Sequence, residues 1–312
     1  MTPRQKRQPS NRLLAVTAVA ALVLASAAVL LSLQRAAQAT QPAATTAPTA
    51  AATTPARATT TAAATLPTPT PTLAPTTTAR PRDRAAVIPD SPPLAEIAPD
   101  GKIDYSRLDY ASLVPAGAAA PDEYFDDAVF IGNSIQQIQR QIGSIRADYI
   151  TTGDFNVFRY FEWDLSMPDG EKMTVAAYLQ SHRYGKIYLT FGINEVSYDD
   201  QAAVWQGYRA MLRDVRQKQP EAVIYLVGLL PVYPPLMNET ARALITPEKI
   251  LEFNHKLAIL AEDEGVWMLN PAAALQDENG LLNPAWSRDG VHFGKAATDL
   301  WDTYTRTHTV AP

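Results

Sequence analysis

From about residue 122 onward, short unbroken apolar runs alternate with stretches in which apolar residues return every three or four positions. The runs are Ala128–Ile131, ending at Gly132, then Ala147–Thr151, Lys186–Phe191, Ala222–Gly228 and Val266–Leu269. Rich in β-branched and aromatic residues and bounded by turn formers, they predict strands covered on both faces. Between them, Trp205, Tyr208, Met211, Leu212 and Val215 share one face of a helix predicted over Gln201–Lys218, with Pro220 just beyond its end. Thr246-Pro247 reads as an N-cap followed by proline at the first helical position, opening a helix that runs to Glu264 and stops at Gly265. Alternation of this kind predicts an α/β domain with a parallel sheet between two layers of helices. In such sheets ligands bind beyond the carboxyl ends of the strands.

The pattern is different before the domain. Residues 1–12 are a basic tail with Arg4, Lys6, Arg7 and Arg12, followed by an uncharged, mostly apolar run from Leu13 to Leu33. At about 1.5 Å per residue that run spans a ~30 Å hydrocarbon layer, and the preceding cations predict a cytoplasmic N-terminus. The competing reading is a cleaved signal segment ending at Ala37-Gln38-Ala39, although the apolar run exceeds the usual ~7–15 residues. Either reading exports everything that follows. Residues 34–85, rich in Ala, Thr and Pro and almost wholly so from Thr40 to about Arg80, predict an extended and partly polyproline linker. Residues 86–121 read as an irregular arm wrapped over a domain that occupies 122–312.

Composition then removes whole classes of function. The net charge of −5 gives no electrostatic reason to bind nucleic acid. The absence of cysteine excludes disulfides, thiolate nucleophiles and cysteine-based metal sites. No HExxH-like or carboxylate-rich ligand set and no glycine-rich phosphate loop stands in the chain, so neither a metal nor a cofactor is expected. Asp277-Glu278-Asn279-Gly280 is too short for a calcium loop and reads as a turn.

Chemistry is carried by residues just after the strands. Gly132-Asn133-Ser134 follows the first, where a serine at a strand-to-helix turn offers a hydroxyl to the crevice and a backbone N–H to developing negative charge. Taken alone, Ser134 more often merely caps the next helix. Gly153 follows the second strand, at a turn where the backbone can approach a substrate closely. Asn194 follows the third in Gly192-Ile193-Asn194-Glu195 and can donate a side-chain N–H to an oxyanion, or can be an ordinary turn residue. Asp289-Gly290-Val291-His292 supplies a base with an anionic partner three residues earlier. The other histidines suit the role less: His182 ends a helix, His255 sits within one, and His308 lies near the chain end.

Together the order Gly-x-Ser, Gly, Gly-x-Asn and Asp-x-x-His resembles the SGNH hydrolases, also called the GDSL family, over about Asp126 to Arg306. The strings Phe130–Ser134, Gly192–Glu195 and Asp289–Phe293 are similar to its bacterial, cell-surface branch. The resemblance implies a flavodoxin-like three-layer α/β/α fold with a five-stranded parallel sheet. It implies a catalytic triad with Ser134 as nucleophile, His292 as general base and Asp289 as orienter. It further implies an oxyanion hole made by the N–H groups of Ser134 and Gly153 and the side chain of Asn194. Asn133 departs from the family's usual Asp, keeping size and one acceptor but losing the charge.

The expected activity is an extracytoplasmic serine esterase, acting on an ester substrate that includes short acyl or O-acetyl groups on a glycan. Tyr160, Phe161, Trp163 and Tyr198 are aromatic residues placed either to stack on sugar rings or, more often in such positions, to pack a lid or core. Two other readings use the same residues: a wall-glycan O-acyltransferase, and an inactive binding domain for which Asn133 is the argument.

Overall fold

The computed structural model describes residues 94–310. The predicted membrane span and the linker lie outside them. The described residues hold seven strands: β1 Ala128–Gly132, β2 Asp148–Thr151, β3 Leu165–Ser166, β4 Lys172–Met173, β5 Lys186–Thr190, β6 Val223–Val227 and β7 Trp267–Leu269. Five of them form one parallel sheet in the order β2-β1-β5-β6-β7, while β3 and β4 make a small antiparallel ribbon. Each predicted strand is found within a residue or two of its expected bounds. The longer helices are α1 Ser134–Ile142, α2 Val175–Ser181, α3 Gln201–Lys218, α4 Pro247–Glu264 and α5 Lys295–Thr307. Helix α1 packs with α5, and α3 packs with α2 and α4, giving the two outer layers of an α/β/α sandwich.

Local chemistry explains these boundaries. Helix α4 begins where the Thr246 hydroxyl accepts the Lys249 N–H, with Pro247 in its first turn, and ends at Gly265 in the left-handed region at φ 64°. Its end is set as the sequence predicts. The sheet interior is aromatic. Phe130, Tyr188 and Tyr225 stand in register on three adjacent strands and stack at centroid distances of 4.2 and 4.6 Å. Offset stacking on a pleated face adds specific geometry to simple burial.

The segment before residue 122 is more than a wrapping. Met268 N–H donates to the Ser112 carbonyl (2.8 Å) and Val114 N–H to the Met268 carbonyl (3.1 Å), so the arm pairs with the exposed edge of β7. Tyr105 is fully buried, and its carbonyl accepts from the Asn270 side chain at 2.8 Å. The arm thus covers a sheet edge that would otherwise present unpaired backbone groups.

The strand order reverses around β1: the chain moves from β1 outward to β2, then returns to the other side of β1 at β5. The carboxyl ends of β1 and β5 therefore flank the crevice that an open α/β sheet offers a ligand. Ser134 follows one and Asn194 follows the other.

Candidate active site

Ser134 is the first residue of α1, but it does not cap the helix. That task falls to Asn133, whose Oδ1 accepts the Ile135 N–H at 3.0 Å. The cap leaves the Ser134 hydroxyl available for other work. It also gives a reason for asparagine at this position: capping needs an acceptor oxygen, and Asn and Asp serve about equally. Gly132, which precedes it, has no room for a side chain, because a Cβ there would lie 2.5 Å from the Thr190 carbonyl on β5. That close approach draws the turn against the neighbouring strand.

Ser134 Oγ lies 2.9 Å from His292 Nε2, and His292 Nδ1 lies 2.8 Å from Asp289 Oδ2. The two contacts run through one ring, so hydroxyl, imidazole and carboxylate stand in line. Asp289 is held by its other oxygen, Oδ1, which accepts the N–H groups of Val291 (3.0 Å) and His292 (2.8 Å). Burial alone would raise the Asp289 pKa. The hydrogen bond and charge of His292, with the two backbone donors, outweigh it and bring the carboxyl down to about 2. An ionised carboxylate bonded to Nδ1 favours the tautomer that presents Nε2 to the serine as an acceptor.

Ser287 braces this loop and was not singled out by the sequence pattern. Its Oγ donates to the His292 carbonyl at 2.6 Å and accepts the Gly290 N–H at 2.8 Å. Gly290 sits at φ 81°, and a Cβ there would run into the Tyr233 carbonyl. An Ser-x-x-Gly spacing just before the histidine was the available signal, but such turns are too common to single out.

The opposite side of Ser134 differs from expectation. The group facing the Ser134 N–H is the carbonyl of Gly153, at 3.3 Å. Asn194 Nδ2 donates to the same carbonyl at 3.4 Å and to the Phe155 carbonyl at 3.0 Å. Ser134, Gly153 and Asn194 are thus brought together, but with an acceptor from Gly153 between the two donors.

Glu195, next in the chain, is fully buried and bridges the two loops: Oε1 accepts the Val157 N–H (2.9 Å) and Oε2 the Gly192 N–H (2.8 Å). Burial pushes its carboxyl up to about 7, against the pull of those N–H donors and of Arg159. A charged residue directly behind Asn194 was its sequence signal, indistinguishable there from a solvated loop residue. Gly192, at φ 116°, gives the turn that brings Asn194 back, and a Cβ there would lie 2.6 Å from the Phe253 ring.

The remaining candidates sort clearly. Tyr160 is fully buried and donates to Asp214 at 2.8 Å, so it has no face for a sugar. Trp163 lies beneath the Arg159 guanidinium at 3.6 Å, and Tyr198 stacks on Phe158. Phe161 is exposed. His182 stacks on Tyr178, His255 meets the Tyr110 hydroxyl at 2.8 Å, and His308 stacks on Tyr304.

Residues 164–300 match the model of the GDSL-like Lipase/Acylhydrolase family. The matched span contains Asn194, Asp289 and His292, and it begins after Ser134 and Gly153, which join the site in space. A comparison with curated proteins finds no match. Among solved structures, a protein from Streptococcus pneumonia is similar with a TM-score of 0.46 and 21% identity, over 58% of this chain and 82% of that one. A GDSL-like lipase from Bacteroides thetaiotaomicron gives 0.42 and 17%, over 60% of this chain and 89% of the other. Neither likeness is close enough to carry an argument about chemistry.

Proposed function

Residues 164–300 match the GDSL-like lipase/acylhydrolase family, and we propose that the folded domain is an ester hydrolase that works through a Ser134–His292–Asp289 triad outside the cytoplasm. The observation that carries this is the unbroken pair of contacts through His292, 2.9 Å to Ser134 and 2.8 Å to Asp289. Ser134 Oγ attacks the ester carbonyl carbon as His292 Nε2 takes its proton. The carbonyl π electrons move to oxygen, where the Ser134 N–H, the Asn194 amide and a donor from the Gly153 turn receive the charge. His292 then protonates the departing alkoxide, and the acyl group stays on Ser134. Water, deprotonated by the same imidazole, attacks that acyl carbon and releases the acid. Asp289 remains a carboxylate throughout and steadies the imidazolium.

The proposed substrates are short acyl esters, including O-acetyl groups on an extracellular glycan. Exposed Phe161 gives a surface on which a sugar ring can rest. An extracytoplasmic place is supported by the basic tail, the apolar run Leu13–Leu33 and the Thr- and Pro-rich tract after it. Among the described residues, no helix is long and apolar enough to cross a membrane.

The test is full-length protein in mild detergent with a chromogenic acetate ester, with and without an oligosaccharide acceptor. Acetate release that does not depend on the acceptor identifies hydrolysis. Release that requires the acceptor, with acetate appearing on the sugar, makes the protein a transferase. Equal turnover by Ser134→Ala and the parent ends the serine mechanism.

A further inference from the structure

The oxyanion side of the site is filled by the protein itself, and the way it is filled names a donor. This inference rests on the serine mechanism proposed above. Phe155 N–H donates to the Thr152 carbonyl at 3.2 Å, which makes residues 152–155 a β-turn with Gly153 and Asp154 at its centre. The carbonyl of the central peptide, Gly153–Asp154, is the one that receives both the Ser134 N–H and the Asn194 amide. These are the donors that a tetrahedral oxyanion beside Ser134 needs. Two oxygens cannot occupy one place, so the Gly153 carbonyl must leave before the reaction can use them.

The turn provides the route. The N–H and C=O of one planar peptide point in opposite directions. In β-turns the central peptide can take either of two orientations, as in types I and II, with the outer hydrogen bond kept. Rotating it here withdraws the Gly153 carbonyl and brings the N–H of Asp154 to the same spot. The flanks are pinned while the middle is open. On one side Thr152 N–H donates to the Gly132 carbonyl at 3.3 Å. On the other, Arg159 Nη1 donates to the Asp154 carbonyl at 2.6 Å and pairs with its carboxylate at 2.5 Å, while its guanidinium rests on Trp163. Phe155 is tied by its carbonyl to Asn194. At Gly153 even an added Cβ would meet only Gln137 Oε1, at 3.9 Å, so the pivot has space to turn.

We propose that Asp154 is a further catalytic residue, acting through its backbone N–H as the third oxyanion donor once the Gly153–Asp154 peptide has turned. Arg159 is a positioning residue that holds the far side of the pivot. The resting enzyme then keeps its own donors satisfied, and a substrate must displace the carbonyl to engage them.

Gly153–Asp154 is the one Gly-Asp pair in the chain. Full-length protein labelled with carbonyl-13C glycine and 15N aspartate therefore gives a single cross-peak from this peptide. An alkyl fluorophosphonate is the probe: Ser134 Oγ bonds to phosphorus, fluoride leaves, and His292 takes the serine proton. The phosphoryl oxygen then stands where the oxyanion would. The expected result is a downfield move of the Asp154 amide proton upon phosphonylation. In parallel, Asp154→Pro, which deletes the N–H, should turn over an acetate ester about 10²- to 10³-fold more slowly than Asp154→Ala, which loses the same carboxylate but keeps the N–H. If the proline variant does not fold, the cross-peak decides. A Ser134 adduct with an unmoved cross-peak overturns the role of Asp154 and leaves the serine mechanism standing, as does a folded proline variant as fast as the alanine one. Failure to phosphonylate Ser134 overturns both.

Discussion

The two sides of Ser134 are built by different means and stand in different states of readiness. On the base side, Asp289 and His292 come from a single four-residue stretch, and their contact requires only the local turn that Ser287 and Gly290 brace. In the proposed mechanism the proton path is assembled at rest. On the oxyanion side, Ser134, Gly153 and Asn194 come from three separate strand ends, and the donors are already spent on a protein carbonyl. The contrast teaches that preorganisation is not one property of a site. A relay between side chains can be fixed in advance, whereas a hole for a transient anion leaves unsatisfied donors unless something fills it, and buried orphan donors cost about 1–3 kcal/mol each.

The largest effect that sharpens this contrast is loss of the nucleophile. Ser134→Ala should lower kcat for an acetate ester by at least about 10⁴-fold with an unchanged melting temperature, since the hydroxyl contributes to chemistry and not to the helix cap. Next is Asp289→Asn, expected to cost about 10³–10⁴-fold in kcat through the wrong imidazole tautomer. A loss as small as tenfold would show that the base side is not set by Asp289. On the other side, Asn194→Ala should cost about 10²–10³-fold in kcat with little change in KM, as for a donor that matters only in the transition state. Were the loss to fall on KM instead, Asn194 would be a ground-state binder and the contrast between the two sides would weaken.

Smaller still is Glu195→Gln. Its amide places an NH₂ against either the Val157 or the Gly192 N–H, so thermal unfolding should show a destabilisation of about 1–3 kcal/mol, with activity lowered through the misplaced loops. The two carboxylates also predict opposite pH responses. Glu195 has its pKa raised by folding, from 4.5 to about 7, so its contribution to stability is complete below 4.5 and is lost as pH rises through about 7. Asp289 has its pKa lowered from 3.8 to about 2, so its contribution is present above 3.8 and is lost as pH falls through about 2. A melting-temperature profile of the parent against Glu195→Gln should diverge between 4.5 and about 7, the parent losing ground as pH rises. Parallel profiles would mean that Glu195 does not titrate there.

The sequence marks the strands, the two longest helices with the caps of the second of them, the parallel layering and the candidate residues of the site, because each leaves a local signal. Alternating runs, a Thr-Pro start, a Gly stop and an Asp three residues before a His are all readable without coordinates. Only the tertiary structure decided which of those residues use which atoms. It assigned the helix cap to Asn133 and so released Ser134, paired the arm with the edge of β7, buried Glu195 as a tie between two loops, and turned the carbonyl of Gly153 toward the Ser134 N–H. The reason is physical: a peptide carries a donor on one side and an acceptor on the other, and the letters of a sequence do not state which way it faces.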